Sequence, residues 1–347
     1  MAETTTTSFT KNQANVELEN EAYDEEYEKL SQECKALLLS LPREKGSINP
    51  YLYLYKDFWV PTNRIQPICY FQKHFQARDD DVVLASLQKS GTTWLKALTF
   101  AIVNRKVFSP SQNNHPLLVS NAHELVQSFE FNYYVDNQNP DLSNLPKPRL
   151  FSTHVPFHVL SDSIIKSKCK IIYICRNPFD NFVSFWHFAN KVKAPSLPKL
   201  SCEEAFDRYS KGIYQFGPFW INMLGYWRES KQSPNKILFL RYENLKGDIK
   251  FYLKRMAEFL NCPFNSEEER DGVIENIIEL CSFQKMKDLE VNKIEKIGLR
   301  IEKKDFFRKG EVGDWVNHLS PWMIEKLSKV MEEKLGSSGL SFQFQIS

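Results

Sequence analysis

The sequence has no strong charge of either sign: 45 Lys and Arg stand against 43 Asp and Glu, for a formal net charge of +2 over 347 residues. A nucleic-acid-binding domain carries a clear basic surplus, so neither a nucleic acid nor a membrane surface is expected as a partner. No apolar run reaches the roughly 20 residues that span a bilayer. The N-terminal MAETTTTSFTKNQ contains no apolar core of a secretory signal. The seven cysteines (34, 69, 169, 175, 202, 262 and 281) form no CxxC pair and no metal-ligand spacing. An odd, dispersed set reads as reduced intracellular thiols and excludes a disulfide framework. These absences describe a soluble protein of the cytoplasm or nucleus.

What is present is an ordinary globular composition, 42% apolar and 25% charged. Residues 1–26, rich in Thr, Asn and Glu, read as a disordered tail, and 27–347 as a single domain. Leu30, Cys34, Leu37 and Leu38 predict a helix over 27–41, closed by Pro42. The aromatic stretch 51-YLYLYKDFWV-60 is either core or edge strand, or the wall of an apolar ligand pocket. The chain then alternates. Strands are predicted at 82–87, 170–175 and 236–242, and helices at about 92–104, 178–190 and 247–260. The last helix gathers Ile249, Leu253, Met256, Ala257 and Leu260 on one face. Such alternation predicts a three-layer α/β domain with a central parallel sheet flanked by helices. Ligands of these sheets sit beyond the carboxyl ends of the strands.

Three basic segments fall at those ends. In 82-VVLASLQKSGTTWLKALTFAIVNR-105 a strand, a small-residue loop and a helix make a P-loop-like phosphate-binding loop. Unlike GxxxxGK[ST], its Lys89 precedes the glycine. Gly91 lets backbone approach an anion, the N–H groups of Ser90 to Thr93 point from the helix N-terminus, and Thr92 and Thr93 add hydroxyls. A capped helix start with a solvent lysine is the alternative. In 171-IIYICRNPFDNFVS-184, Arg176 stands at a strand end where an ATPase often carries the aspartate that holds Mg²⁺. Its rigid fork suits phosphate oxygens. Ser184 lies about two turns further along; a structural Arg176–Asp180 pair is the alternative. In 306-FFRKGEVGDWVNHL-319, Arg308, Lys309 and Gly310 form a basic turn, and Gly310 with Gly313 suggests a mobile loop. Together these segments imply two anion sites without an evident metal ligand set, which fits a nucleotide phosphorylated at both ends.

KSGTTWLKAL, RNPFDNFVSFWHF and RKGEVGDW resemble the cytosolic sulfotransferases, and LGYW, CSF and LEVNK resemble their plant branch. The resemblance implies 3′-phosphoadenosine 5′-phosphosulfate (PAPS) as co-substrate, adenosine 3′,5′-bisphosphate (PAP) as product, and no metal. By position, Lys89 to Trp94 would hold the 5′-phosphosulfate, with Trp94 against the adenine. Arg176, Ser184, Arg308, Lys309 and Gly310 would hold the 3′-phosphate, and Tyr242 and Phe283 would pack near the adenine. The general base would be the histidine of 150-LFSTHVPF-157, His154, with Lys89 stabilising charge on the leaving phosphate. Surface or structural roles are expected for His74, His115 and His123.

The sequence departs from the family pattern in places. Gln88 replaces a common proline, Ser152 replaces a lysine of animal members, and Cys281 stands where animal relatives often have threonine. The animal-type dimer segment is not evident, so a monomer is expected. A degenerate P-loop kinase or ATPase, or a non-catalytic nucleotide binder, are the competing readings. The acceptor is read as a small hydroxylated molecule, largely apolar: a flavonoid, a steroid-like compound or a hydroxylated hormone. Phe58, Trp59, Phe129, Phe131, Tyr133, Tyr134, Phe157, Phe185, Trp186 and Phe188 are candidates for its pocket, most of them expected in the core.

Overall fold

The structure, a computed structural model, describes residues 26–194, 197–297 and 301–342, so nearly all of the expected N-terminal tail lies outside the described residues. A small antiparallel sheet comes first, with β1 (Arg43–Lys45), β2 (Tyr51–Tyr55) and β3 (Phe58–Pro61) in that order. Lys56 and Asp57 both take positive φ, 46° and 65°, which closes β2 onto β3 in a two-residue hairpin. The aromatic stretch 51–60 is therefore a core hairpin. None of its residues lines the cavity described below.

The main sheet has four strands: β4 (Val82–Ser86), β5 (Leu150–Thr153), β6 (Lys170–Cys175) and β7 (Ile237–Arg241), in the order β5-β4-β6-β7. All three pairings are parallel. Successive side chains of a strand point to opposite faces. Val83, Ala85, Ile171, Tyr173 and Cys175 accordingly enter one hydrophobic cluster. Val82, Leu84, Ile172 and Ile174 enter the other. Both faces are thus covered, which is why these strands read as continuous apolar runs. The helix Thr92–Asn104 lays Leu95, Leu98 and Ile102 on the second face, and the helix Pro178–Val192 lays Phe179, Phe182 and Val183 on the first. This is the predicted three-layer arrangement.

The boundaries that moved have local causes. The helix predicted over 27–41 is interrupted after residue 28 and resumes as Gln32–Ser40, where the Ser31 side chain accepts from the N–H of Cys34 and caps it. The strand expected over 236–242 stops at Arg241, and Tyr242 opens a short helix, Tyr242–Gly247. The following helix spans Ile249–Phe259, capped by Asp248 accepting from the N–H of Phe251 at 3.0 Å. At the amino end of the sheet, Arg149 grips Asp81 with a two-pronged ion pair, Nε to Oδ1 at 2.7 Å and Nη2 to Oδ2 at 2.6 Å. These residues immediately precede β5 and β4, so the pair clamps the two strands where they begin. Among the described residues no helix is long and apolar enough to cross a membrane.

Candidate active site

A cavity of about 1320 Å³ opens beyond the carboxyl ends of the four strands. Lys89, Gly91, Thr92, Thr93 and Trp94 line it from the first loop, Arg176 and Ser184 from the second segment, and Arg308, Lys309 and Gly310 from the third. Tyr242, Phe283 and His154 line the same space. Ser90 is the exception in the predicted set. Its N–H is spent on the Leu87 carbonyl at 3.2 Å, and its hydroxyl is fully buried and accepts from Asn181 Nδ2 at 3.1 Å. From this loop the backbone that lines the cavity after Lys89 therefore resumes at Gly91.

Gly91 is required twice over. Its φ of 106° lies in the left-handed region, and an added Cβ would stand 2.8 Å from the Tyr242 ring. Asn181 braces the loop through the Gln88 carbonyl at 2.8 Å. The Gln88 side-chain oxygen, where the family often has proline, is buried without a hydrogen-bond partner among the described residues. Lys89 makes no ion pair among the described residues. Its ammonium lies 4.1 Å from the centre of the Phe188 ring and 5.8 Å from that of Phe306. Burial, reinforced by the nearby Arg176, pushes its pKa down to about 7. A cation in that state gains strongly from an anionic partner.

Arg176 donates to the Glu311 carbonyl, stands a loose 3.9 Å from Asp180, and keeps Nε buried without a partner among the described residues. Asp180 is instead occupied by the backbone N–H groups of Gly313, at 2.8 Å, and Trp315, at 3.1 Å. It is the strap that brings the third basic segment to the second. Arg308 and Lys309 both reach Asp314 at 2.5 Å, so their charge is partly engaged. Burial works against ionisation of Asp314, yet hydrogen bonds from Lys309 and Arg308 hold its carboxyl far below the usual carboxylate range. The Gly310 carbonyl accepts from Tyr242 at 3.0 Å and from Lys246 at 2.6 Å. The turn expected to be mobile is thus tied at both of its glycines.

Aromatic surfaces complete this end. Trp94 and Tyr242 meet edge-on with ring centres 5.6 Å apart, and Phe283 lies so close under Gly310 that a Cβ there would approach it to 2.5 Å. Cys281 is buried in the core and does not line the cavity, so it makes no contact in place of the threonine of animal relatives.

His154 follows the last residue of β5. Its Nδ1 lies 2.7 Å from the Ser86 carbonyl, which can only accept. The Nδ1 proton is therefore fixed, and Nε2 carries the lone pair. Burial lowers its pKa to about 4, opposed by the bond to Ser86 and assisted by the positive Lys96 and Lys89, so the ring is neutral at physiological pH. Its edges pack against Phe131 and Phe216, ring centres 5.8 and 5.6 Å away. The backbone is held as well: the His154 N–H donates to the fully buried Glu130 at 2.7 Å, and its carbonyl accepts from Asn222 at 2.8 Å.

Several of these residues escape sequence reasoning. Glu130, Asn181 and Asn222 come from distant elements and carry no local signal. His123 is a correction: expected at the surface or in a structural role, it lines the cavity between Thr93 and Lys96. The Thr93-to-Lys96 spacing, one helical turn, could have pointed to Lys96. Ser152 turns its hydroxyl to the Gln127 carbonyl at 3.2 Å and brings no charge to the site. Of the ten aromatics considered for the acceptor pocket, only Phe131 and Phe188 line the cavity; Trp59 is buried in β3, and the other seven pack in the core cluster. Leu30, Ile48, Pro67, Tyr70 and Phe131 also line the cavity, among polar neighbours such as Asn49, Asn63 and Gln66, with Arg64 4.7 Å over the Phe131 ring.

Comparison with known proteins agrees with this geometry. A family profile described as the sulfotransferase domain matches residues 79–339. Cytosolic sulfotransferase 15 of Arabidopsis thaliana is 54% identical, covering 92% of this chain and 89% of its own length. Cytosolic sulfotransferase 14 of the same plant is 51% identical, covering 94% and 95%. Among solved structures, an Arabidopsis thaliana protein provisionally described as a steroid sulphotransferase superposes with a TM-score of 0.72 at 40% identity, over 91% of this chain and 97% of its own. A mouse sulfotransferase complexed with PAP superposes with a TM-score of 0.63 at 26% identity, over 83% and 95%. With the profile spanning most of the chain and two relatives more than half identical over nearly all of it, the chain belongs to the sulfotransferase family.

Proposed function

We propose that this enzyme transfers a sulfuryl group from PAPS to a hydroxyl of a small acceptor, with His154 as general base. The observation that carries the reading is the neutral imidazole, its tautomer set by the Ser86 carbonyl, beside a loop whose lysine has no carboxylate partner among the described residues. The residues fit a nucleotide with phosphates at both ends. Arg176 and Arg308 each keep a buried Nε without a partner among the described residues, and the Gly91 cradle admits no side chain. The PAP bound to the mouse relative supports the same nucleotide here.

In this reading the backbone N–H groups from Gly91 to Thr93, the two threonine hydroxyls and Lys89 hold the 5′ end. Arg176, Ser184, Arg308, Lys309 and Gly310 hold the 3′-phosphate; Trp94, Tyr242 and Phe283 hold the adenine. PAPS supplies the activated sulfuryl group when bound. His154 Nε2 takes the proton of the acceptor hydroxyl, a step that ordinarily contributes about 10²–10⁴-fold. Lys89 and the helix N-terminus stabilise the charge left on the departing phosphate, usually the larger contribution. The acceptor lies against Leu30, Ile48, Pro67, Tyr70 and Phe131, which suits a largely apolar flavonoid, steroid-like compound or hydroxylated hormone. The cytosolic names of the relatives support a cytoplasmic protein.

The test is transfer of labelled sulfate from PAPS to a panel of such acceptors without added metal. The wild type is expected to label at least one, and His154→Ala to label it about 10²–10⁴-fold more slowly while binding PAP normally. Equal labelling by His154→Ala would remove the proposed base; failure of the wild type with the whole panel would count against the acceptor class.

A further inference from the structure

Lys96 is not used by the mechanism above, and its surroundings are unusual. It lies on the helix that the anion loop opens, one turn beyond Thr93, is only 2% exposed, and lines the cavity. Its Nζ stands 3.0 Å from His123 Nδ1, and His123 Nε2 stands 2.9 Å from Thr93 Oγ1. The imidazole is stacked on Phe306 with ring centres 4.3 Å apart, which fixes its plane.

The proton positions follow from chemistry. An ammonium only donates, so His123 Nδ1 must accept and Nε2 must carry the proton. Nε2–H then donates to the Thr93 oxygen, which leaves the Thr93 hydroxyl proton for another acceptor. Lys96 has two further N–H groups and makes no ion pair among the described residues. Glu130 is the carboxylate that influences it, but both Glu130 oxygens already accept, from the His154 N–H at 2.7 Å and from Thr153 Oγ1 at 3.1 Å. Burial pushes the Lys96 pKa down to about 7, and burial, assisted by the positive Lys96 and Lys89, lowers His123 and His154 as well. A buried cation with unspent donors costs free energy until an anion meets it.

We propose that Lys96 and Thr93, oriented by His123, form a second oxyanion site between the Lys89 loop and His154, and that this site holds the oxygens of the sulfuryl group as it passes from donor to acceptor. Lys96 and Thr93 are the contacting residues, and His123 is a positioning residue. No bond forms to either side chain; they donate hydrogen bonds to oxygens whose charge is redistributed during transfer. The proposal rests on the PAPS reading above.

PAP and PAPS differ by the sulfuryl group alone, so paired calorimetric titrations without acceptor isolate it. Lys96→Met keeps the length and apolar body of the side chain; His123→Phe keeps the stack on Phe306. For Lys96→Met, PAP affinity is expected to stay within about twofold of wild type, while the preference for PAPS over PAP falls at least about tenfold. In turnover, kcat is expected to drop about 10²–10³-fold with little change in acceptor KM, and His123→Phe to fall between. An unchanged PAPS-to-PAP ratio in Lys96→Met would overturn the proposal. So would an equal loss of both ligands, which would assign Lys96 to the nucleotide phosphates or to the fold. Failure of the wild type to bind PAP would instead sink the nucleotide reading itself, and this inference with it.

Discussion

The two ends of the same two strands, β4 and β5, are built on opposite principles. Where they begin, Asp81 and Arg149 form a buried two-pronged pair, and the Arg149 Nη2 that grips Asp81 also reaches the Gln76 carbonyl. Where they end, Lys96 is buried and Lys89 half-buried, neither with a carboxylate partner among the described residues, and desolvation holds both near a pKa of about 7. One end is satisfied and closed. The other keeps its donors in reserve, which is expensive for the fold and useful only if an anion arrives. The difference separates residues that hold the strands together from residues that act on a ligand, although both sets are charged and at least half-buried.

The largest expected effect breaks the carboxyl end alone. His154→Ala should lose about 10²–10⁴-fold in kcat while leaving PAP affinity and thermal unfolding close to wild type, checked by turnover and melting on the same preparation. Breaking the amino end should do the reverse. Asp81→Ala leaves Arg149 buried and unpaired and should cost about 3–5 kcal/mol in urea unfolding, with the protein that remains folded still binding PAP. A smaller effect is expected from Arg176→Ala, which removes one loosely paired guanidinium. PAP affinity should fall about ten- to a hundredfold by calorimetry without loss of stability.

The smallest effect is a slope. The Lys89 charge is present below its pKa of about 7 and lost above it, and an anion favours the charged form. PAP affinity should therefore weaken as pH rises from 7 to 9, by at most about tenfold per unit, and Lys89→Arg should flatten that slope. A slope unchanged in Lys89→Arg would place the titrating group elsewhere.

Much of the carboxyl end was legible in the sequence because each anion segment is one contiguous string at the end of an apolar run. Lys89, Arg176 and Arg308 could be read that way, and so could the central strands, which are buried on both faces. β5 could not: its four residues are too few to show a period, and only the histidine after it drew notice. The His123–Lys96 pair stayed hidden because their side chains meet across 27 positions of sequence, and Glu130 because it reaches His154 from 24 positions away. Ser90 misled for a local reason: the turn before Gly91 spends its N–H on Leu87, which a string of small residues does not reveal. Asp180, whose pairing with Arg176 was the alternative reading, stands 3.9 Å from it and in addition binds the backbone of the third segment, which no local pattern announces.

The most direct test of the account is calorimetric titration of the wild type with PAP, without metal, against ATP with Mg²⁺. The account predicts tight binding of PAP and little or none of ATP–Mg²⁺, because Lys89 would meet the 5′-phosphate and Arg176, Arg308 and Lys309 the 3′-phosphate of one nucleotide. Preference for ATP–Mg²⁺ would contradict it.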